Sequence, residues 1–265
     1  MKIGVVGCAG RMGRMLCAAA LATKGADLVG GTEAQGSKWI GVDLGFLCEG
    51  LPKNTLIGDD PVLLFDQSDV VIDFTAPHAT VTHAKIAAET RTAMVIGTTG
   101  LNERDIKILE IAGQSTPIVH AGNMSLGINL LVGLVKQVTA SLGNEYDIEI
   151  VEMHHRHKVD APSGTALMLG HAAAEGRAVN HKRHSIMARE GQTGKRPKGG
   201  IGYATLRGGD VIGDHSVICA GPGERVELSH KATSRDVFAQ GALRAALWLE
   251  GQPPSLYTMC DVLGL

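Results

Sequence analysis

The stretch that decides the fold is Lys2–Arg14, KIGVVGCAGRMGR. Its first part, Lys2–Gly7, is a short β-branched run without polar alternation, which reads as a parallel strand buried on both faces. Gly10–Thr23 then reads as a helix with Met12, Met15, Leu16 and Ala19 on one face. Between strand and helix stand Gly7, Gly10 and Gly13, a G-x-x-G-x-x-G run. The spacing differs from G-x-G-x-x-G, and an ordinary glycine-rich turn has the same spelling. Its place between a strand and a helix points to a dinucleotide pyrophosphate on the helix N-terminus. Gly7 allows the tight turn, Gly10 lets backbone amides approach the ligand, and Gly13 lets the helix pack closely. Glu33 ends the next strand, Asp27–Thr32, 20 residues beyond Gly13, where a carboxylate accepts the hydroxyls of an adenosine ribose.

The alternation continues through the first half. Helices are expected over Pro61–Gln67, Pro77–Glu89 and Asn102–Gln114, the first opened by the Asp60-Pro61 N-cap pair. Strands are expected over Asp69–Phe74, Ala93–Ile96 and Pro117–His120. Strands separated by helices imply βαβ units and a parallel sheet. Gly97-Thr98-Thr99-Gly100 and Ala121-Gly122-Asn123-Met124 follow two of these strands, where ligands of open parallel sheets lie. The first of these turns is equally readable as a polar cap on the next helix. Phe74-Thr75-Ala76-Pro77 is expected to line the same groove.

After Ser125 the pattern changes. Leu126–Leu142 is a long apolar helix, Asp147–Met153 an alternating strand with one wet face, and Ser163–Ala174 a helix. Residues 191–223 hold ten of the 35 glycines, with strand-like pieces at Tyr203–Leu206, Val217–Cys219 and Arg225–Leu228 and a flexible loop at Gly191–Gly200. Ser234–Leu249 is a final helix. The fold expected is α/β, a Rossmann-like parallel sheet, with a second α+β domain carrying a mainly antiparallel sheet. Residues 1–125 plus 236–265 are assigned to the dinucleotide-binding domain, and 126–235 to a domain for substrate binding and oligomerisation.

Composition narrows the function. The formal charge of −2 lacks the basic footprint of a nucleic-acid binder. Two Trp, three Tyr and four Phe in 265 residues argue against a stacking platform. Five scattered cysteines without C-x-x-C spacing suggest reduced thiols and a cytoplasmic protein. The N-terminal apolar run is too short for a secretion signal, and no 18-residue apolar stretch is read, so no membrane span is expected.

The densest chemistry is His154-His155-Arg156-His157-Lys158. A metal site is one reading, but no carboxylate or cysteine stands at ligand spacing, and two cations would adjoin the ion. A solvated basic loop is another. The preferred reading is a cationic pocket for an anionic substrate, with imidazole and ammonium groups as proton donors. Pro162-Ser163-Gly164-Thr165 adds a helix N-terminus whose Gly164 and Thr165 amides suit a carboxylate, as well as simple capping by Ser163.

GCAGRMGR, VIDFT, VIGTTG, EMHHRHKVDAPSGTA and HKATSRDVFAQGALRAALWL together resemble the 4-hydroxy-tetrahydrodipicolinate reductase (dihydrodipicolinate reductase) family, from Lys2 to Val262. The resemblance implies reduction of a cyclic unsaturated dicarboxylate with NADH or NADPH, in the diaminopimelate route to lysine, by a homotetramer built through the second domain's sheet. It implies His154 as proton donor or acceptor, Lys158 as catalytic proton donor, and His155, Gly164 and Thr165 as substrate contacts. It assigns Gly7, Cys8, Ala9, Gly10, Arg11 and Met12 to the pyrophosphate and Glu33 to the adenosine ribose. Gly97, Thr98, Thr99, Ala121, Gly122, Asn123 and Met124 fall on the nicotinamide side, and no metal is implied. Two positions depart from the family pattern. Ala34 stands where Arg is usual after the acid, which favours NADH, with Arg11, Arg14 and Lys38 as substitute cations for NADPH. Met124 replaces a common Phe. Two domains also imply a hinge whose closure expels water.

Overall fold

The computed structural model describes residues 1–48 and 53–265. The chain divides into two compact units, Met1–Ser125 with Asp236–Gly264, and Leu126–Arg235 with Leu265.

The first unit contains β1 (Lys2–Val6), α1 (Arg11–Ala22), β2 (Asp27–Thr32), α2 (Pro61–Gln67), β3 (Val70–Asp73), α3 (Pro77–Thr90), β4 (Ala93–Ile96), α4 (Glu103–Gly113) and β5 (Pro117–His120). The strands are nearly all apolar because both faces of the sheet are covered. Ile3, Val5, Ile72 and Val95 pack against Leu16 and Ala20 of α1 on one face. Val6, Val71, Met94 and Ile96 pack against Phe65, Ala84 and Leu109 on the other. Asp60 caps α2 by accepting from the Val62 and Leu63 amides, and Asn102 closes a reciprocal capping box with Asp105 at α4.

The second unit contains α5 (Leu126–Leu142), β6 (Asp147–His154), α6 (Gly164–Gly176), α7 (His181–His184), β7 (Ser185–Ile186), β8 (Ile201–Arg207), β9 (Gly213–Gly221) and β10 (Glu224–Ala232). The sheet is mixed, in the order β10-β9-β6-β8-β7. The β10–β9 and β9–β6 ladders are antiparallel; β6–β8 and the short β8–β7 are parallel. Helices α5 and α6 cover one face, with Leu131, Val135, Leu169 and Ala173 against Ile148, Ile150 and Val217. The other face carries Val151 and Met153, in register with Ala204 and Leu206, and the neighbouring Ile218.

The chain then completes the first unit with α8 (Asp236–Trp248), β11 (Ser255–Tyr257) and α9 (Met259–Leu263). Ala242 and Ala246 of α8 join α1 on its face of the sheet. Strand β11 adds to the edge beside β5, giving an all-parallel sheet ordered β11-β5-β4-β3-β1-β2.

One expectation changes. Leu126–Glu145 is long and apolar enough to cross a membrane by length and composition, contrary to the absence of such a stretch expected from the sequence. Its buried residues, among them Leu131 and Val135, belong to the helix layer of the second unit. The glycine-rich loop at 191–200 is tied back by Arg196, which donates to the Ile148 and Gly200 carbonyls at 2.8 Å each and to Glu149 at 2.9 Å.

Candidate functional site

In the first unit the strand order reverses between β1 and β3, so a crevice opens beyond their carboxyl ends. Two adjoining clefts lie there. The larger, of about 620 Å³, is lined by Gly7, Gly10, Glu33, Thr75 and His83 among others. The smaller, of about 310 Å³, is lined by Met12, Gly97, Thr98, Thr99 and the Gly122–Met124 turn. Phe74 and Thr75 line both.

The glycine turn owes its shape to local sterics. Gly7 has φ +66°, a left-handed conformation that a side chain would strain. A Cβ at Gly13 would stand 2.1 Å from the Gly7 carbonyl oxygen, so α1 starts directly against the turn only because residue 13 is glycine. Among the described residues no side chain caps α1, whereas Asp60, Asn102 and Ser163 cap α2, α4 and α6. Its first-turn amides therefore keep the positive end of the helix dipole open to an anion. Glu33 accepts from the Ala9 amide at 2.7 Å, which fixes the acid beside the turn. An uncapped helix N-terminus opening on two adjoining clefts fits a dinucleotide.

The second unit builds a different site. Alternation along β6 turns Ile148, Ile150, Glu152 and His154 to the covered face, so a carboxylate and an imidazole continue an apolar row. Glu152 is 1% exposed. Arg207 grips it with two hydrogen bonds, Nη1 to Oε2 at 2.8 Å and Nη2 to Oε1 at 2.9 Å. The Ser163 amide donates to Oε1 at 3.1 Å, and His154 Nδ1 lies 2.5 Å from Oε2. Burial pushes the Glu152 carboxyl up, but Arg207 and His154 more than offset it and hold it below the usual carboxylate value. An ionised carboxylate only accepts, so His154 Nδ1 carries the hydrogen and Nε2 is the free ring nitrogen. Burial lowers the His154 pKa, against the pull of Glu152 and with help from Lys158 and Arg207, so the ring favours the neutral form. A Cβ at Gly213 would stand 3.0 Å from Nε2, so glycine there leaves that nitrogen room.

Lys158 Nζ pairs with Asp160 Oδ1 at 2.8 Å, and Arg207 Nη2 also donates to the Asp160 carbonyl at 2.6 Å. Arg207 thus couples the lysine loop to the His154 support. Ser163 caps α6 by accepting from the Ala166 amide at 3.1 Å, and its hydroxyl lies 3.0 Å from His215 Nε2. Burial pushes the His215 pKa down to about 4. A Cβ at Gly164 would meet nothing within 4 Å, so this N-terminus has open space beside it.

The comparisons with known proteins cover both units. The family described as "Dihydrodipicolinate reductase, N-terminus" matches residues 1–124, and "Dihydrodipicolinate reductase, C-terminus" matches 127–263. The chain belongs to the dihydrodipicolinate reductase family. It is 52% identical to the 4-hydroxy-tetrahydrodipicolinate reductase of Dinoroseobacter shibae, over 99% of this chain and 98% of that one. It is 53% identical to that of Rhodopseudomonas palustris strain BisA53, over 100% and 97%. Among solved structures, the dipicolinate-bound dihydrodipicolinate reductase from Paenisporosarcina sp. TG-14 shares the fold, with a TM-score of 0.76, 22% identity and 98% of each chain covered.

Against this family's motifs, the structure sorts the residues singled out in the sequence. Gly7, Gly10 and Glu33 line the larger cleft, and Met12, Gly97, Thr98, Thr99, Gly122, Asn123 and Met124 the smaller. Arg11 opens α1 and is exposed. Cys8 and Ala121 are buried in the core beneath, and the Ala9 amide is used by Glu33. In the second unit His154, Lys158 and the Gly164–Thr165 N-terminus come together around Arg207 and Ser163. The His155 ring instead has Nε2 at 3.4 Å from Arg235. Among the described residues, no group of three or more His, Cys, Asp or Glu side chains is arranged to hold a metal ion. Glu152, Arg207 and His215 were missed. The only signal for Glu152 was its place two residues before His154 on an alternating strand.

Proposed function

We propose that this chain is the NAD(P)H-dependent oxidoreductase that reduces 4-hydroxy-tetrahydrodipicolinate to tetrahydrodipicolinate in the diaminopimelate route of lysine biosynthesis. The reaction takes up one hydride and one proton and releases water. The observation that carries this reading is the buried Glu152–His154 pair gripped by the half-buried Arg207 beside Lys158, in a chain matched by the family over both units.

The nicotinamide cofactor supplies the hydride when bound. The first unit holds its pyrophosphate at the Gly7–Met12 turn, its adenosine ribose at Glu33 and its nicotinamide end at Gly97–Thr99 and the Gly122–Met124 turn. NADH is the favoured form. Ala34 offers no cation, Arg14 donates to the Ala9 carbonyl with its guanidinium 4.6 Å over the Trp39 ring, and Lys38 also faces that ring. The second unit receives the dicarboxylate. Gly164 and Thr165 bind one carboxylate at the α6 N-terminus, and His155 contacts the substrate. Lys158, exchanging Asp160 for the anionic substrate, donates the proton. His154, neutral and held by Glu152, accepts a hydrogen bond or proton at Nε2. The unit also assembles four copies through the sheet face bearing Val151, Met153, Leu206 and Ile218. Five cysteines, none in a disulfide, suit a cytoplasmic enzyme.

A coupled assay tests the reading: the upstream synthase's product is fed to the enzyme and NADH absorbance is followed. NADH oxidation is expected, and none above background overturns it. Lys158→Ala is expected to keep the NADH Kd while kcat falls about 10²-fold, the scale of losing a general acid. Calorimetry is expected to give a lower Kd for NADH than for NADPH.

A further inference from the structure

We infer that Asp73 is the positioning residue of the cofactor cleft, one carboxylate that sets the wall of both halves. This rests on the dinucleotide reading of the two clefts. Asp73 ends β3 and is fully buried. Its Oδ1 accepts from the Thr75 amide at 2.8 Å, the Thr75 hydroxyl at 2.6 Å and the Thr98 hydroxyl at 3.3 Å. Its Oδ2 lies 2.8 Å from His83 Nδ1. The Thr98 hydroxyl in turn accepts from Thr80 at 2.8 Å.

The partners of this carboxylate are what assign its task. Thr75 lines both clefts, Thr98 the smaller and His83 the larger. Thr75 also reaches the glycine turn: a Cβ at Gly7 would stand 2.8 Å from its γ-methyl. The Phe74 ring packs so closely on Gly97 that a Cβ there would stand 2.2 Å away. One side chain therefore fixes the turn after β3, the turn after β4 and one face of α3, with Thr75 set against the turn after β1. A buried charge is a poor way to add stability, because an apolar residue of similar size avoids the desolvation cost. Hydrogen bonds to a charged acceptor are shorter and stronger than neutral ones, which suits a hub that holds loops in place.

Replacing the carboxylate by an isosteric amide keeps the shape and weakens every spoke. Asp73→Asn is expected to raise the NADH Kd about tenfold, the equivalent of about one charge-assisted hydrogen bond. The KM for NADH rises with it, while kcat at saturating NADH stays within about threefold of wild type. The Kd for ADP-ribose rises similarly, because Thr75 lines the larger cleft as well. Thr98→Val removes one spoke on the nicotinamide side only. It is expected to weaken NADH and to leave ADP-ribose unchanged. All binding is measured by calorimetry without dicarboxylate substrate, beside the thermal midpoint of the ligand-free protein. Unchanged NADH and ADP-ribose affinities in Asp73→Asn with a lowered midpoint would make Asp73 a fold residue and overturn the inference. Should Asp73→Asn not fold, wild-type NADH affinity in both Thr75→Val and Thr98→Val overturns it equally. Failure of the wild-type protein to bind NADH brings down the cleft reading and this assignment together.

Discussion

A carboxylate at residue 152 governs a histidine at residue 154 because a strand returns to the same face every second residue. Glu152→Gln is expected to lower kcat about 10-fold to 100-fold with little change in the KM for NADH, since the amide no longer fixes the Nδ1–H tautomer of His154. The limb of the pH–rate profile belonging to His154 should move to lower pH, because Glu152 is the partner that raises its pKa. An unmoved profile would leave Glu152 a purely structural residue. His215 contributes to the pH dependence of stability. Its folded pKa of about 4 lies below its ordinary 6.5. The unfolded chain therefore binds a proton that the folded one refuses, and stability present above pH 6.5 is lost as pH falls towards 4. The loss is on the order of 3 kcal/mol. Thermal midpoints across that range should fall in wild type and fall less in His215→Gln. The HHRHK segment was conspicuous in the sequence because five basic or imidazole side chains in a row are rare between ordered elements. Glu152 and Arg207 were not, because a glutamate on an alternating strand is spelled the same whether it meets water or a guanidinium 55 residues away.

At the scale of elements, the periodic segments were legible and the short ones were not. Strands β1, β3, β4 and β5 are short, mostly apolar runs, and Asp60-Pro61 and Asn102 mark helix starts by side-chain chemistry that works within one turn. Strand β11 has only three residues, with no periodicity to read. It is a strand because the edge of β5 supplies its partner, a tertiary cause. The length of β9 and β10 was likewise understated, since their nine-residue ladders hold glycine and polar residues in place through pairing rather than propensity. The turn before α1 gives the test at this scale. Gly13→Ala forces a methyl group to within 2.1 Å of a backbone oxygen that has no rotamer to escape into. Either α1 moves back or the turn opens. The thermal midpoint is expected to drop, with a destabilisation of about 1–3 kcal/mol, and NADH binding to weaken with it. A variant with normal affinity and midpoint would show that the turn tolerates the displacement.

At the scale of the whole molecule, the mixed sheet is covered by helices on one face while Val151, Met153, Leu206 and Ile218 stand on the other. Leu206 is 49% exposed. A second copy would cover these four side chains, which share the face with Glu149, Asp214 and Ser216. Sedimentation is expected to give about four times the 27.7 kDa chain mass, and Val151→Glu with Ile218→Glu to give smaller species. Wild-type sedimentation as a monomer would overturn the assembly. The order in which the chain is laid down has a consequence of its own. Apart from Leu265, the second unit is the one uninterrupted stretch 126–235, but the first unit is split around it. During synthesis the early βαβ segments leave the ribosome long before α8, whose alanines pack beside α1, and β11, which closes the edge of the sheet. The later-made unit is therefore the first that can finish folding. The cofactor unit waits with an uncovered face and an open strand edge until residue 263 has been made, and in that interval it is exposed to aggregation and to chaperones.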